Sequence, residues 1–369
     1  MIKTIFFIIV LIFAMIGVKF LFPSFFDRQV NKVRGVYYVW KGDKELEERH
    51  WQKAIDWYQR ALIFYPEHYS AWHNLGSIYV LYEDYDSALD AYAHAIKYNP
   101  KFIVARMNYG IVSAEKMGDF DSAIGQYNEI INTKRRLLYI PWIFNNKKST
   151  KENKGFAFYN KGLAYKQKSL YLDKEEYELR KRYLLDALEA YKSAVKILKK
   201  SYEAQYNLAL TEHLLGNSRE AGFGYCKAIA LSPMSYEAHY NLAILLRNLR
   251  HYNESKEELQ KAAELITNSD GFSNRQSYIF DILTEVSRTV YEEEKNNPLV
   301  EEFTERELKS PDLMKVTYLN GKMIYSEELD KAIMKNFSTC KSFKIFQKEL
   351  ENESEDLGLR QRIHIPGKW

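Results

Sequence analysis

The stretch YSAWHNLGSIYVLYEDYDSALDAYAHAIKYNPKF, residues 69–102, carries two helical patterns separated by a short polar turn. In its first part, apolar residues recur at the spacing of one helix face: Trp72, Leu75, Gly76 and Tyr79. In its last part a similar spacing returns: Ala88, Tyr92 and Ala95. Asp86 or Ser87 is placed to cap the second helix, and Pro100 ends it. The stretch therefore predicts a helix–turn–helix unit of 34 residues.

Two later stretches repeat this pattern in the same order. They are EAQYNLALTEHLLGNSREAGFGYCKAIALSP (203–233) and EAHYNLAILLRNLRHYNESKEELQKAAEL (237–265), and the second begins 34 residues after the first. The shared pattern, W-x2-L-G-x2-Y followed by A-x3-Y, A and P, resembles the tetratricopeptide repeat. A further unit begins near Ile103, and another near Gly155 contains an insert before its second helix.

The first unit is degenerate. Its second helix is marked by Ala54, Tyr58, Ala61 and Pro66. Its first helix is expected within residues 27–42, with Gly35 and Tyr38 at the small and aromatic positions. Together these stretches give about six units between residues 30 and 267.

The resemblance implies an all-α fold, a right-handed superhelical solenoid of about six helix–turn–helix units, preceded by one transmembrane helix. The expected domains are an anchor (1–26), the repeat array (30–267, with inserts near 134–154 and 166–185), a capping helix (272–297) and a C-terminal extension (298–369). The extension is expected to be partly disordered or to form a small hairpin or helix, because TYLNGKMIY contains Asn320-Gly321 between apolar residues.

The N-terminal run from residue 4 to residue 22 contains one charge, Lys19, close to its end. As a helix it would be about 28 Å long, which matches the hydrocarbon core of a bilayer. We therefore predict an uncleaved single-pass anchor; the competing interpretation, a signal peptide, would need a small-residue exit site that is not evident. Basic residues after the run favour a cytoplasmic body, but bacterial anchors with a short MIK-type start often export the domain that they carry. Both sides of the membrane stay open.

In the family that the repeats resemble, the first helices line a concave groove that holds peptides or partner helices. Carried over to this sequence, the groove contains five asparagines and the residues before four of them: Asn74, Asn108, Asn160, Asn207, Asn241, His73, Tyr159, Tyr206 and Tyr240. An amide can pair with the backbone of any peptide, since it both donates and accepts. The alternative interpretation is that these amides bind only within or between repeats, because asparagine in a helix needs compensation.

Other function classes find little support in the sequence. The net charge of +4 is too small to imply a nucleic-acid partner, and two cysteines form no metal-binding pattern, so we expect no metal and no cofactor. The segment GFGYCKA (222–228) is expected inside a helix and not in a phosphate-binding loop, and no catalytic constellation is evident. The protein is therefore not expected to be an enzyme.

The sequence leads to one principal hypothesis and one alternative. The principal hypothesis is a membrane-tethered scaffold or adaptor that binds a peptide or partner protein in its groove. The basic cluster that clamps a C-terminal carboxylate in some relatives is absent, since the matching positions hold His73, Met107, Glu203 and Glu237. The alternative is a cell-envelope assembly factor whose repeats associate into a homo-oligomer or support a larger machine.

Overall fold

The computed structural model describes residues 17, 19–133, 146–173, 175–267, 273–296, 317–319 and 322–324. The chain divides into two compact units, Met1–Phe144 (unit 1) and Asn145–Trp369 (unit 2). In the described part of both units the chain is helical apart from turns and one short strand pair. The all-α class and the repeated helix–turn–helix organisation are therefore confirmed.

Unit 1 contains three consecutive helix hairpins. Their helices are α1 (Pro23–Glu47), α2 (Trp51–Phe64), α3 (Tyr69–Leu81), α4 (Tyr85–Tyr98), α5 (Ile103–Glu115) and α6 (Phe120–Asn132). Each odd-numbered helix packs on the even-numbered helix that follows it. The fully buried residues between them are mostly alanine and tyrosine, which lets the helix axes approach closely.

Unit 2 also contains three hairpins, followed by one further helix. The helices are α7 (Asn146–Leu170), α8 (Tyr177–Ile197), α9 (Tyr202–Leu214), α10 (Ser218–Leu231), α11 (Tyr236–Asn248), α12 (Tyr252–Thr267) and α13 (Ser273–Asn296). Ile279, Ile282 and Val286 of α13 are buried against α12. Strands β1 (Thr317–Leu319) and β2 (Lys322–Ile324) pair antiparallel, with Leu319 opposite Lys322.

The long first hairpin of unit 2 accounts for the inserted residues. Helix α7 has 25 residues and α8 has 21, whereas the other hairpin helices of this unit have 13 to 16. The extra length therefore lies in both helices of the pair.

Side-chain caps fix where several helices begin. Asp84 accepts a hydrogen bond from the Ser87 backbone N–H, and Asp119 accepts one from Ser122 N–H one repeat later. The expected cap at Asp86 or Ser87 was therefore wrong by two or three residues, because both lie inside α4. Such a cap satisfies a backbone donor that the first helical turn leaves unpaired.

A glycine opposite a buried tyrosine forms the centre of four hairpins. The pairs are Gly42 with Tyr58, Gly76 with Tyr92, Gly110 with Tyr127 and Gly162 with Tyr191. A Cβ on any of these glycines would lie 2.6–2.8 Å from the tyrosine ring. The expectation that Gly35 and Tyr38 hold these positions in the first unit was wrong: α1 extends to Glu47, and Gly42 meets the Tyr58 ring.

The α9/α10 hairpin also packs its helices closely, but its glycine lies on the second helix. Ala209 occupies the position of the glycine, and Gly224 lies next to the buried Tyr225 on the facing helix. A Cβ on Gly224 would be 2.6 Å from the Cβ of Ala209, so the small residue has moved to the other helix of the pair. The segment GFGYCKA lies within α10, as expected.

No helix within the described ranges is long and apolar enough to cross a bilayer. The predicted anchor, residues 1–26 with its span at 4–22, lies for the most part outside the described residues. So do residues 134–145 of the insert near 134–154, and nearly all of 298–369.

Candidate protein-binding surface

The five asparagines lie in the middle of the first helix of successive hairpins. Unit 1 places Asn74 on α3 and Asn108 on α5, and unit 2 places Asn160 on α7, Asn207 on α9 and Asn241 on α11. Most of these side chains are partly buried, and only Asn207 is almost fully so, at 8% exposed. The row is therefore at the boundary between the helix packing and the solvent.

In unit 2 the amides of Asn207 and Asn241 reach back to the preceding hairpin. The Nδ2 of Asn241 donates to the Tyr206 hydroxyl at 2.7 Å, and the Nδ2 of Asn207 lies 3.4 Å from the Tyr159 hydroxyl. Each Nδ2 also donates to the carbonyl four residues earlier, that of Glu237 or Glu203. The donor side of these amides is thus engaged in holding one repeat against the previous one.

Unit 1 makes the same connection with an imidazole. The Nδ2 of Asn108 is 3.1 Å from Nε2 of His73, which corresponds in position to Tyr159 and Tyr206. Since an amide nitrogen only donates, Nε2 accepts, and the ring hydrogen on Nδ1 can donate to Asn74 Oδ1 at 3.2 Å. Burial lowers the pKa of His73, against a smaller opposing effect of its bond to Asn74, which favours this neutral ring.

The first asparagine of unit 1 joins a different network. Its Nδ2 donates to Asp43 Oδ1 and to the Tyr58 hydroxyl, both at 3.1 Å. The Tyr58 hydroxyl in turn donates to Asp43 at 2.7 Å. This network ties α1, α2 and α3 together, and burial, followed by the bond to Asp43, raises the pKa of Tyr58.

These contacts correspond to the alternative interpretation of the row, in which the amides bind between repeats. These contacts do not involve every group of the surface. Asn241 Oδ1 accepts no hydrogen bond from the described part of the chain, and the residues three positions after each asparagine are also only partly buried. These residues are Ser77, Ile111, Leu163, Leu210 and Ile244.

Additional tyrosines extend the surface in unit 2. Tyr202 stacks on Tyr206 with 5.6 Å between ring centroids, and Tyr278 of α13 lies 6.3 Å from Tyr240. Tyr278 is 58% exposed, so its ring forms an open edge beside Tyr240. Sequence reasoning missed both additions, although the tyrosine at the first position of α9 recurs at the first position of α11.

The electrostatics of this surface are set by glutamates at its edge. Glu203 and Glu237 each accept a hydrogen bond from the serine that caps their helix, at 3.0 Å. Burial raises the pKa of Tyr206 to about 12, and the nearby Glu237 adds to the shift. A ligand that lies along α9 and α11 would therefore meet neutral phenols and negative carboxylates.

A partly buried lysine also contacts the row, and the sequence did not indicate it. Lys166 of α7 donates to Asn207 Oδ1 at 2.5 Å, and burial lowers its pKa to about 8. No carboxylate forms an ion pair with it in the described ranges. The acceptor oxygen of Asn207, Oδ1, therefore already has a hydrogen-bond partner within the protein.

Within the described ranges, one group of side chains has the composition of a metal site. Glu45, Glu48 and His50 lie at the turn between α1 and α2 and are partly or fully exposed. Nδ1 of His50 is 2.9 Å from Glu45 and 3.5 Å from Glu48, which is the geometry of a surface ion pair. The absence of a metal and of catalysis stays a prediction.

Comparison with known proteins identifies the repeat. A family profile described as "Tetratricopeptide repeat" matches residues 69–102, and a second profile with that description matches residues 236–268. The Caenorhabditis elegans "Tetratricopeptide repeat-containing protein trd-1" is 28% identical over 100 residues, which are 27% of this chain. Those residues make up 12% of that protein, so the chain spans a small part of its curated relative.

Solved structures with a related fold are more distant in sequence. The "Assembly Chaperone of RpL4 (Acl4)" aligns with 70% of this chain and 99% of its own, with a TM-score of 0.50 and 15% identity. Pseudomonas aeruginosa pilF aligns with 67% of this chain and 99% of its own, with a TM-score of 0.48 and 13% identity. At 15% identity, the likeness to Acl4 indicates the fold alone.

Proposed function

We propose that this chain, a tetratricopeptide-repeat protein, is a membrane-tethered scaffold that binds a peptide or partner protein along the first helices of unit 2. The observation that carries the proposal is the strip of partly exposed tyrosines on these helices. Tyr159, Tyr206 and Tyr240 recur at the same position of successive hairpins, and Tyr278 extends the strip beside Tyr240.

The hydrogen bonds of the asparagines give this strip its rigidity. Because Asn207 and Asn241 hold the hydroxyls of Tyr159 and Tyr206, those rings cannot change rotamer without losing a bond. A phenol fixed in this way offers apolar area to a ligand at a small entropic cost. The amides then act by positioning the tyrosines, and Asn241 Oδ1 is left as an acceptor for a backbone N–H.

The charge around the strip favours one kind of ligand. Glu237 is close enough to Tyr206 to add to the rise in pKa that burial causes there. Glu203 adds in the same way, after burial and Glu237, to the raised pKa of the neighbouring Tyr202. The basic clamp for a terminal carboxylate is absent from the corresponding positions of the sequence. The ligand is therefore a neutral or basic segment, bound by its backbone and by apolar side chains.

Tethering is the part of the proposal that rests on sequence. Residues 4–22 form an apolar run of bilayer length with Lys19 near its end. A single span would hold the repeats within reach of a membrane-bound or newly exported partner. A reporter fused after Trp369 determines on which side of the membrane the repeats lie.

Photocross-linking tests the binding strip without removing its hydrogen bonds to Asn207 and Asn241. The photoreactive residue p-benzoylphenylalanine replaces Tyr240 in the full chain, and in a matched control it replaces Tyr291, a 61%-exposed tyrosine of α13. We expect a discrete covalent adduct with a partner protein at position 240 and none at position 291. Equal adducts at both positions, or none at 240 in correctly folded protein, would contradict the assignment.

The partner identified in this way allows a quantitative test. Ile244→Asp adds a charge to the strip and should weaken binding at least tenfold, a loss of about 1.4 kcal/mol. Tyr291→Asp is the control and should leave the affinity unchanged. An adduct between two copies of this chain would instead favour the homo-oligomeric assembly factor.

A further inference from the structure

The outer side of α1 carries apolar side chains that nothing in the described part of the chain covers. Six large hydrophobic residues with exposed fractions of 50% or more recur at spacings that largely follow one helix side, and we call them the α1 stripe: Phe22, Phe25, Val33, Val36, Tyr37 and Trp40. On the opposite side, Gly35, Val39 and Gly42 are buried against α2. The helix therefore has one apolar face packed within unit 1 and a second one left open.

Unpaired cations border this stripe. Lys41 Nζ lies 5.7 Å from the ring centroid of Tyr37 and 5.9 Å from that of Trp40. The guanidinium of Arg34 lies 5.8 Å from the centroid of Phe64, and that of Arg60 lies 5.0 Å from Trp57. These cations form no ion pair with any described carboxylate, in contrast to Arg28, which is bound to Glu67 at 2.8 Å.

The backbone changes direction where the stripe begins. Residues 19–21 are helical, Phe22 leaves the helical conformation with φ −137° and ψ 67°, and Pro23 starts α1. A helix continuing straight on from a membrane span would carry its 25 residues about 37 Å away from the bilayer. A break at Phe22 allows α1 to lie along the membrane surface instead.

We propose that α1 lies in the interface of an anionic membrane, with the α1 stripe among the lipid headgroups and upper acyl chains. Tryptophan and tyrosine are the side chains that prefer this depth, and Lys and Arg at the border reach anionic headgroups. A second copy of the chain is a poorer occupant, because the same cations would face each other across the contact.

This inference rests on the tether in the proposed function, and it goes further by assigning the orientation of α1. Flotation of the full chain with vesicles tests the tether by itself. If the wild-type chain does not float, the tether fails and this inference fails with it. If the chain floats, the contact of α1 with lipid is decided separately by the measurement below.

Tryptophan quenching tests the contact in the full chain. The protein is reconstituted in phosphatidylcholine and phosphatidylserine with or without bromine on the acyl chains, and the loss of emission is compared between wild type, Trp40→Phe and Trp72→Phe. We expect Trp40→Phe to lose a large part of the bromine quenching, whereas Trp72→Phe keeps it, because Trp72 donates to Pro66 O within unit 1. The same quenched fraction in Trp40→Phe and wild type would overturn the proposal.

Two further variants identify what covers the stripe. Arg34→Glu with Lys41→Glu should reduce the quenching in phosphatidylserine-containing bilayers while flotation is retained. A benzoylphenylalanine at position 40 should form adducts with the mass of a lipid. Adducts with a second copy or with another protein, in place of lipid, would show that the stripe is a protein interface and overturn the membrane assignment.

Discussion

In unit 1 the amide of Asn108 donates to the imidazole of His73, whereas in unit 2 the amide of Asn241 donates to the phenol of Tyr206. The two acceptors occupy the same position of the repeat, directly before the asparagine of the previous hairpin. The repeat therefore fixes the place of a hydrogen bond and leaves the chemistry of its acceptor free to vary. The choice of acceptor gives the two units a different response to pH.

The packing between helices varies in a similar way. Within unit 1 each hairpin places a glycine of its first helix against a tyrosine ring, as Gly110 does with Tyr127. In the α9/α10 hairpin of unit 2, the glycine is on the second helix, at Gly224. The fold requires the two helices to approach closely, and the glycine that permits this can lie on either helix.

The largest effect is expected from filling the space between a glycine and its ring. In Gly110→Ala the new Cβ would lie 2.6 Å from the ring of Tyr127, which is 1% exposed and cannot move outward. We expect this change to lower the free energy of unfolding by about 2–3 kcal/mol. Urea denaturation with hydrogen exchange of α5 and α6 measures it.

The same hairpin contains a matched control. Gly125 lies on α6 with no atom within 4 Å of its would-be Cβ, so Gly125→Ala should stabilise by about 0.5–1 kcal/mol through helix propensity. If both substitutions changed stability in the same direction, the glycine–tyrosine contact would not be the determinant.

The exchanged arrangement in unit 2 allows a test by rescue. Gly224→Ala brings two Cβ atoms to 2.6 Å and should cost about 1–2 kcal/mol. Adding Ala209→Gly removes one of them, so the double variant should recover part of this loss despite the lower helix propensity of glycine. Purely additive losses in the double-mutant cycle would show that the two positions do not interact.

Unit 2 should gain stability in mild alkali through Lys166. Its pKa is about 8 in the folded protein and 10.5 in an unperturbed chain, so between these values the unfolded state binds more protons. The free energy of unfolding therefore rises with pH, by up to about 1.8 kcal/mol between pH 7.5 and pH 9.5. Urea denaturation at these two pH values measures this rise.

Lys166→Met removes the titrating group and should abolish the rise. Lys161→Met, a change of the same kind on the same helix, should retain the wild-type slope. A rise that persists in Lys166→Met would have to come from another group, and the assignment to Lys166 would then be wrong.

Unit 1 should respond to mild acid, with the smallest of these effects. Burial holds the pKa of His73 below 6.5, so as the pH falls below 6.5 the unfolded state takes up the proton first and the free energy of unfolding decreases. A protonated ring also cannot accept from Asn108. We expect a loss of about 0.5–1 kcal/mol between pH 7 and pH 5.5, measured as faster hydrogen exchange in α3 and α5.

Exchanging the acceptor types between the units sharpens this comparison. His73→Tyr places the acceptor of unit 2 in unit 1 and should reduce the acid sensitivity of α3 and α5. Tyr206→Phe in unit 2 should lose about 1 kcal/mol at every pH in this range, since the phenol that it removes has a pKa of about 12 and does not titrate there. An unchanged acid response in His73→Tyr would exclude His73 as its cause.

The helices and their pairing could be predicted from the sequence because both are local properties. Within a single 34-residue window, the spacing of Trp72, Leu75 and Gly76 defines one helix and the spacing of Ala88 and Tyr92 the next. A small residue facing a large one then specifies which sides pack together. The degenerate first unit was the exception, since α1 contains two glycines and the spacing alone did not select Gly42 over Gly35.

The partners of the asparagines could not be predicted in this way. Their positions were evident in the sequence, but the hydroxyl that Asn241 binds belongs to a residue 35 positions earlier. Lys166 and Asn207 are separated by 41 residues, and their contact joins two hairpins. Neither pair lies within the 34 residues of a single repeat.

The sequence by itself thus determined that this protein is a series of helix hairpins, because helix periodicity and helix pairing are encoded in neighbouring residues. The tertiary structure decided what the polar side chains of those helices do. How one hairpin stacks on the next sets the distance from each amide to a tyrosine, an imidazole or a lysine. Asn74, Asn108, Asn207 and Asn241 are thereby ties between repeats, and the tyrosines held by the last two stay partly exposed.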